Sequence, residues 1–340
     1  MRQSDTRTVV EQKPIGVIDA VSAGLDLVRR RPWTLLIPVL VDVLIWVLPR
    51  LSLTQMFRPF TAEMLRVASL SGDPEMVEEV RQTFEQLVQS FNLLSFVTTA
   101  LNGVTRFPSL FKLDTIRATM LNVPGPVSAW AYTQQVLSPE LAFLLFAALF
   151  LLGLLLVAVY LEWIAQGVRP LEAQVRGAAF IRIAQLWLRL MLYTLLLLGL
   201  LFAVSIIVTV VQGVVASPEL ATFAAMLITV GLFWIFIYLF FVTSALAVSG
   251  VSVRLAIRRS TLLFRPFFWS TLGLVLLSVF LERGLAIIWD GLTVSTLGVV
   301  LAIVANAYIG TSLIAAAMVY YQDRMNVFER WRQAAKSVKK

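Results

Sequence analysis

Polar residues recur at helical spacing just before long apolar runs, and this alternation divides the chain. In the stretch 251–288, Arg254, Arg258, Thr261 and Arg265 follow one another at steps of four, three and four, a polar stripe on an otherwise apolar helix. Pro266 breaks that helix, and Phe267, Phe268 and Trp269 open an apolar segment long enough to cross a bilayer. The pattern predicts an interfacial elbow feeding a transmembrane helix. The same device opens the chain. Asp19, Ser22, Asp26 and Arg29 lie at steps of three, four and three, Arg30, Arg31 and Pro32 close the helix, and a short apolar span follows at 33–48. A third stripe, Arg182, Gln185 and Arg189, precedes the run 190–211.

Further runs at 141–164, 220–248 and 297–320, with one ending near Trp289, bring the expected number of spans to six. The expected fold is an all-α polytopic membrane protein of six transmembrane helices in three elbow-plus-hairpin units. Four regions result: an interfacial helix and first span at 1–50, an extracytoplasmic insert at 51–139, the remaining spans at 140–320 and a basic tail at 321–340. In the insert, prolines are frequent and no segment is apolar for long enough to cross. Asp73 and Pro74 read as an N-cap and first helical residue, followed by an apolar stripe from Val77 to Leu94. The stretch FNLLSFVTTALNGV is apolar but shorter than the roughly 17 residues a span needs, and is expected to lie on the membrane surface or on its own helix. Val327, Trp331 and Ala334 predict a tail helix lying on the membrane surface.

Composition supports membrane insertion, since 59% of the 340 residues are hydrophobic and mean hydropathy is +0.84. The chain has no cysteine and no histidine, which removes disulfides, thiolate nucleophiles, imidazole acid–base catalysis and histidine-ligated metals or haem. No catalytic, cofactor or metal residues are expected. The net charge of +8 fits the positive-inside rule better than nucleic-acid binding. The N-terminal segment, the second-to-third and fourth-to-fifth connections and the tail hold most of the 28 basic residues, whereas the loops 212–219 and 290–296 hold none. Both termini are therefore expected in the cytoplasm of a bacterial cell, with the insert outside the plasma membrane. The first span is expected to act as its own targeting signal.

The best internal match sets residues 27–33, LVRRRPW, against 261–267, TLLFRPF. With AVSAGLDLVRRRPW, RLAIRRSTLLFRPFFW, six spans and the exit Tyr320-Tyr321-Gln322-Asp323-Arg324, the chain resembles the bacterial multi-span domains of unknown function that include the membrane domain attached to some glycerophosphodiester phosphodiesterases. The resemblance covers most of the chain outside 51–139. It implies a membrane-embedded accessory or scaffold role, and no catalysis carries over because no phosphodiesterase domain is present.

Few polar residues fall inside the spans. Asp42 sits in the first, and an ionisable group there is a functional hypothesis by default. Counting about 1.5 Å per residue puts Asp42 about 14 Å and Arg283 about 25 Å deep, a gap beyond an arginine's reach. Asp42 is therefore expected to meet Ser244, Tyr238 or Ser278, while Glu282 and Arg283 reach the outer interface. Glu162 is expected to pair with Arg169 or Arg254, and Asn306 to bond across to another helix. Arg29, Arg30, Arg31, Arg254, Arg258 and Arg265 are placed to contact anionic lipid headgroups. Most tryptophans fall near span ends, as aromatic anchors do. The acids Glu75, Glu78, Glu79 and Glu85, on a helix with Arg81, read as a solvated face.

Two function classes follow. The first is a non-enzymatic scaffold, assembly factor or accessory subunit, with membrane lipids as partners and a protein partner met through the insert or the interfacial helices. The alternative is a transporter or lipid-translocating protein using Asp42. Against it stands the absence of spans interrupted by glycine or proline around a midplane site.

Overall fold

A computed structural model describes residues 14–70, 74–90, 92–110, 133–136, 138–169, 179–214 and 217–337. Asp73, Arg176 and the terminal basic residues Arg2, Arg7, Lys13, Lys339 and Lys340 lie outside these segments. The protein is an α-helical membrane protein with, among the described residues, five helices long and apolar enough to cross a bilayer: Pro139–Val168, Ala179–Val214, Glu219–Ser249, Phe268–Trp289 and Thr296–Ala334.

In chain order, α1 is Val17–Arg30, and a single turn of 3-10 helix at Pro32–Leu35 leads into α2, Leu36–Val47. The expected first span is thus only 12 residues of α-helix, about 18 Å against a hydrocarbon core of about 30 Å. The insert follows with β1 (Arg50–Ser52), α3 (Thr54–Ser69), α4 (Pro74–Ser90), α5 (Leu93–Thr105) and β2 (Thr133–Gln135). β1 and β2 pair in parallel, Leu51 opposite Gln134. On α4, Arg81 bonds Glu78 at 2.9 Å and holds its carboxyl below the usual range. That pair belongs to an exposed face.

The bundle consists of α6 (Pro139–Val168), α7 (Ala179–Val214), α8 (Pro218–Tyr238), α9 (Val242–Ser249), α10 (Val253–Phe264), α11 (Phe268–Leu292) and α12 (Thr296–Ser337). Ser138 and Ser217 cap α6 and α8, each accepting a hydrogen bond from a first-turn backbone N–H ahead of a proline and an acid. One expected elbow and the expected tail helix are parts of longer helices. Arg182, Gln185 and Arg189 belong to the first turns of the unbroken 36-residue α7. The tail is the continuation of α12, which is 42 residues or about 63 Å long, and not a separate helix.

The elbow at α10 does form. Its arginines Arg254, Arg258 and Arg265 are exposed, while Val253, Ala256, Ser260, Leu263 and Phe264 are buried. α1, by contrast, is more than an elbow, because it makes the most extensive helix pairing in the protein, with α12. Gly24 permits it: a Cβ there would come within 2.7 Å of Ala316 N and would collide with the Ser312 carbonyl. At its start, Ile15 N donates to Asp323 at 3.2 Å and Ile15 O accepts from Arg324 at 2.8 Å. The beginning of α1 and the Asp323 turn of α12 therefore share one face of the protein, the terminal face; the insert marks the other.

Candidate functional site: a re-entrant segment within the bundle

The insert does not stay outside. Asn92 caps α5, its Oδ1 accepting from Leu94 N at 3.2 Å and from Leu51 N at 3.3 Å, which fixes the helix start beside β1. From there α5 runs into the bundle beside α6. Leu93 shares a cluster with Ala142 near the start of α6. Leu101 meets Gly153, where a Cβ would lie 2.7 Å from its Cδ1. Phe107 packs edge-on against Tyr160, with centroids 5.6 Å apart. Ala142 to Tyr160 is about 27 Å along α6, so the segment penetrates most of the membrane. The expectation of a surface helix is corrected: buried Leu93, Val97, Thr98 and Leu101 give α5 a face packed chiefly against α6, with β1 beside its start.

After Thr105 the backbone leaves the helix and turns back. Arg106 takes a left-handed conformation, φ 58°, which costs a non-glycine residue about 1 kcal/mol. Pro108 then presses against Gly310 of α12, with no room for a Cβ between them. Ser109 and Leu110 end the described segment on Asp42, whose carboxylate accepts from Ser109 Oγ at 2.5 Å and from Leu110 N at 2.8 Å. Leu110 lies with Ile45, Trp46, Trp289 and Ile303, back toward the insert face. Residues 93–110 are a helix in and a non-helical segment out. Non-helical backbone at membrane depth is tolerated only where protein covers it or where it lines a cavity. Asp42 therefore meets the re-entrant segment, not the expected Ser244, Tyr238 or Ser278.

A second interruption faces the first. The apolar run 220–248 breaks at 239–241, between α8 and α9. Ser260 of α10 repairs the ladder, donating to Tyr238 O at 2.6 Å and accepting from Phe241 N at 3.2 Å. Within the break, the Phe240 ring lies under the Arg106 guanidinium, 3.4 Å from its centroid, a cation–π contact away from bulk water.

Beside Arg106 is a cavity of about 40 Å³, lined by Arg106, Pro108, Ser278, Glu282, Trp289 and Asn306 among others. At about 10–15 Å³ per water centre it holds about three waters. Glu282 and Asn306 each lie ten residues from the insert-face end of their helix, about 15 Å deep. Glu282 is exposed on the surface of α11, as is its neighbour Arg283. Asn306 does not bond across to another helix: its Nδ2 is buried without a hydrogen-bond partner among the described residues.

Glu162 lies elsewhere, near the terminal face, almost fully buried at 1% exposure. Arg169 grips both its oxygens at 2.8 Å, and Arg182 adds a bond at 2.9 Å. Arg169 also donates to the carbonyls of Val248, at 3.0 Å, and Ala247, capping the end of α9. Arg182, not Arg254, is the second cation. The exit of α12 is a junction: Tyr320 bonds Ser270 at 2.6 Å, Tyr321 bonds Ser249 at 3.0 Å, and Arg324 lies over Phe267 and Tyr320. Arg29 and Arg30 are exposed on α1, with Arg31 half-buried at its end.

Sequence reasoning missed Arg106, Ser109, Phe240 and Ser260. One signal was present, because an apolar run of about 14 residues ending in Arg106-Phe107-Pro108 is the length of a re-entrant segment. Among the described residues, no three His, Cys, Asp or Glu side chains come together. Fold and site together define a polytopic α-helical membrane protein with a polar re-entrant segment. No family model, curated protein or solved structure matches the chain.

Proposed function

We propose that the protein is a transport or lipid-translocating protein of the bacterial plasma membrane whose ligand is met inside the bilayer, at the re-entrant segment. The observation that carries this reading is the pair of facing interruptions, 106–110 and 239–241, joined by Arg106 over Phe240 beside a polar cavity. Burying Asp, Arg, Asn and open backbone at this depth costs several kcal/mol per uncompensated group, which a passive helical scaffold has no need to incur. Interrupted segments around a midplane site are the feature whose absence from the sequence counted against transport.

The topology that goes with this proposal has both termini cytoplasmic. Five long helices are an odd number, while Ile15 and Asp323 share a face. The Pro32–Val47 segment then makes the sixth crossing, short but lengthened by its 3-10 turn and shielded by α12 and the re-entrant segment. Arg29, Arg30, Arg31, Arg254, Arg258 and Arg265 would lie at cytoplasmic headgroups.

One observation favours the accessory reading as a second role. Phe60, Met64 and Val67 of α3 form an exposed apolar stripe at steps of four and three in the extramembrane hairpin, a surface suited to a protein partner or the outer leaflet. The test of the primary reading uses the natural absence of cysteine. Single-cysteine variants Ser278→Cys and Asn306→Cys in liposomes should react with a small water-soluble methanethiosulfonate added from one face. If neither reacts from either face, while both react once denatured, the bundle is sealed and the transport reading fails.

A further inference from the structure

We infer that the cavity beside Arg106 is a lateral binding site for the uncharged, hydroxyl-rich headgroup of a membrane amphiphile, such as a monoglycosyl lipid. The inference rests on the proposed function only in placing the ligand inside the bilayer. Its position comes first. The lining runs along one side of α11, through Ser278, Glu282 and Trp289, and along the facing side of α12 at Asn306, with Arg106 and Pro108 behind. Glu282 is both lining and exposed, so the cavity reaches the surface of the bundle there. The neighbouring surface is apolar apart from exposed Arg283: Val279 and Phe280 on α11 and Leu301 and Val304 on α12 are all exposed. At about 15 Å from the helix ends, what lies against that surface is acyl chain, not water. A ligand entering here keeps a hydrocarbon tail in the bilayer and puts only its polar end inside.

The chemistry of the lining selects the polar end. Arg106 and Glu282 face the same space and interact electrostatically, so the site is already balanced in charge. A phosphate or carboxylate would upset that balance in a medium where an unpaired charge is expensive. What the site offers instead is mixed: guanidinium donors, a carboxylate acceptor, the Ser278 hydroxyl and the Asn306 amide, whose Nδ2 has no partner among the described residues. Hydroxyl groups, each donor and acceptor at once, satisfy such a set without adding charge. Buried Trp289 supplies a flat apolar wall of the kind a sugar's C–H face packs against. Size sets the limit, since about 40 Å³ takes roughly three hydroxyls, one edge of a monosaccharide, with the rest at the mouth.

The probe is a monoglucosyl diacylglycerol with a diazirine near the head of one acyl chain, in phosphatidylcholine liposomes holding the full-length protein. After irradiation, adducts should concentrate on residues 276–289 and 301–314. Excess unlabelled monoglucosyl diacylglycerol should remove them, whereas phosphatidic acid and plain diacylglycerol should not. Asn306→Leu should lower adduct yield about fivefold, the worth of one buried hydrogen bond, leaving adducts on the lipid-facing residues 226–233 unchanged as the check on folding. Adducts spread evenly over lipid-facing positions would overturn the inference, as would equal competition by phosphatidic acid or by diacylglycerol. Specific adducts with a sealed, methanethiosulfonate-resistant cavity would remove the transport reading and leave this site standing. Reactive cysteines without specific adducts would do the reverse.

Discussion

Asp42 and Ser109, sixty-seven residues apart, meet inside the bundle with an oxygen–oxygen distance of 2.5 Å, and the same carboxylate takes the N–H of Leu110 at 2.8 Å. α2 and the end of the re-entrant segment are thereby latched to each other. A carboxylate fits this place because both neighbours are donors. Asp42→Asn should turn an acceptor into a group that presents N–H to one of them, at a cost of about 1–3 kcal/mol. A lowered thermal midpoint in detergent, with Ser109→Ala falling less, is the expected result.

Glu162 carries two arginines, and it is nearly inaccessible. Glu162→Gln should remove the buried carboxylate that Arg169 and Arg182 both grip, costing about 3 kcal/mol or more. Arg169→Ala should cost a similar amount, because it also uncaps Ala247 and Val248. Exposed Arg254→Ala should have almost no effect. Unfolding midpoints of the three variants compared side by side check the ordering.

Two glycines separate close packing from open helix surface. Gly24→Val puts a side chain into the α12 backbone at Ser312 and Ala316 and should cost at least about 1–3 kcal/mol. Gly103→Ala, in α5 with nothing within 4 Å, should be neutral or stabilising by up to about 1 kcal/mol. Limited proteolysis should cut α1 first in Gly24→Val.

The left-handed backbone of Arg106 distinguishes two replacements that both remove its charge. Arg106→Gly relieves the strain that Arg106→Ala keeps, so glycine should be the more stable of the two by about 1 kcal/mol. Both lose the contact with Phe240. Thermal midpoints of the two variants measure the difference.

Much of the architecture was legible from period and length. Apolar runs of 20 or more residues marked the five long helices, and the stripe of Arg254, Arg258 and Arg265 marked the exposed side of α10. What escaped was tertiary. Beyond its length and its Arg106-Phe107-Pro108 end, nothing local in FNLLSFVTTALNGV distinguishes a helix resting on a membrane from one packed on Gly153, since both need one apolar face. Asp42 could be recognised as unusual, but its partners came from a segment read as lying outside. The break at 239–241 has no proline or glycine to announce it; Ser260, nineteen residues downstream of Phe241, makes it affordable. Glu162 found the cation that α7 brought alongside it, a choice set by packing rather than sequence distance.

The re-entrant course of residues 93–110 is the centre of this account, and a single cross-link tests it. With no natural cysteine, the double variant Leu101→Cys/Gly153→Cys holds only one thiol pair. Treated with copper phenanthroline in membranes, it should form an intramolecular disulfide in most molecules, and Leu101→Cys alone should resist a membrane-impermeant maleimide. No cross-link, together with rapid maleimide labelling at position 101 from the insert face, would place α5 on the membrane surface and contradict the site built upon it.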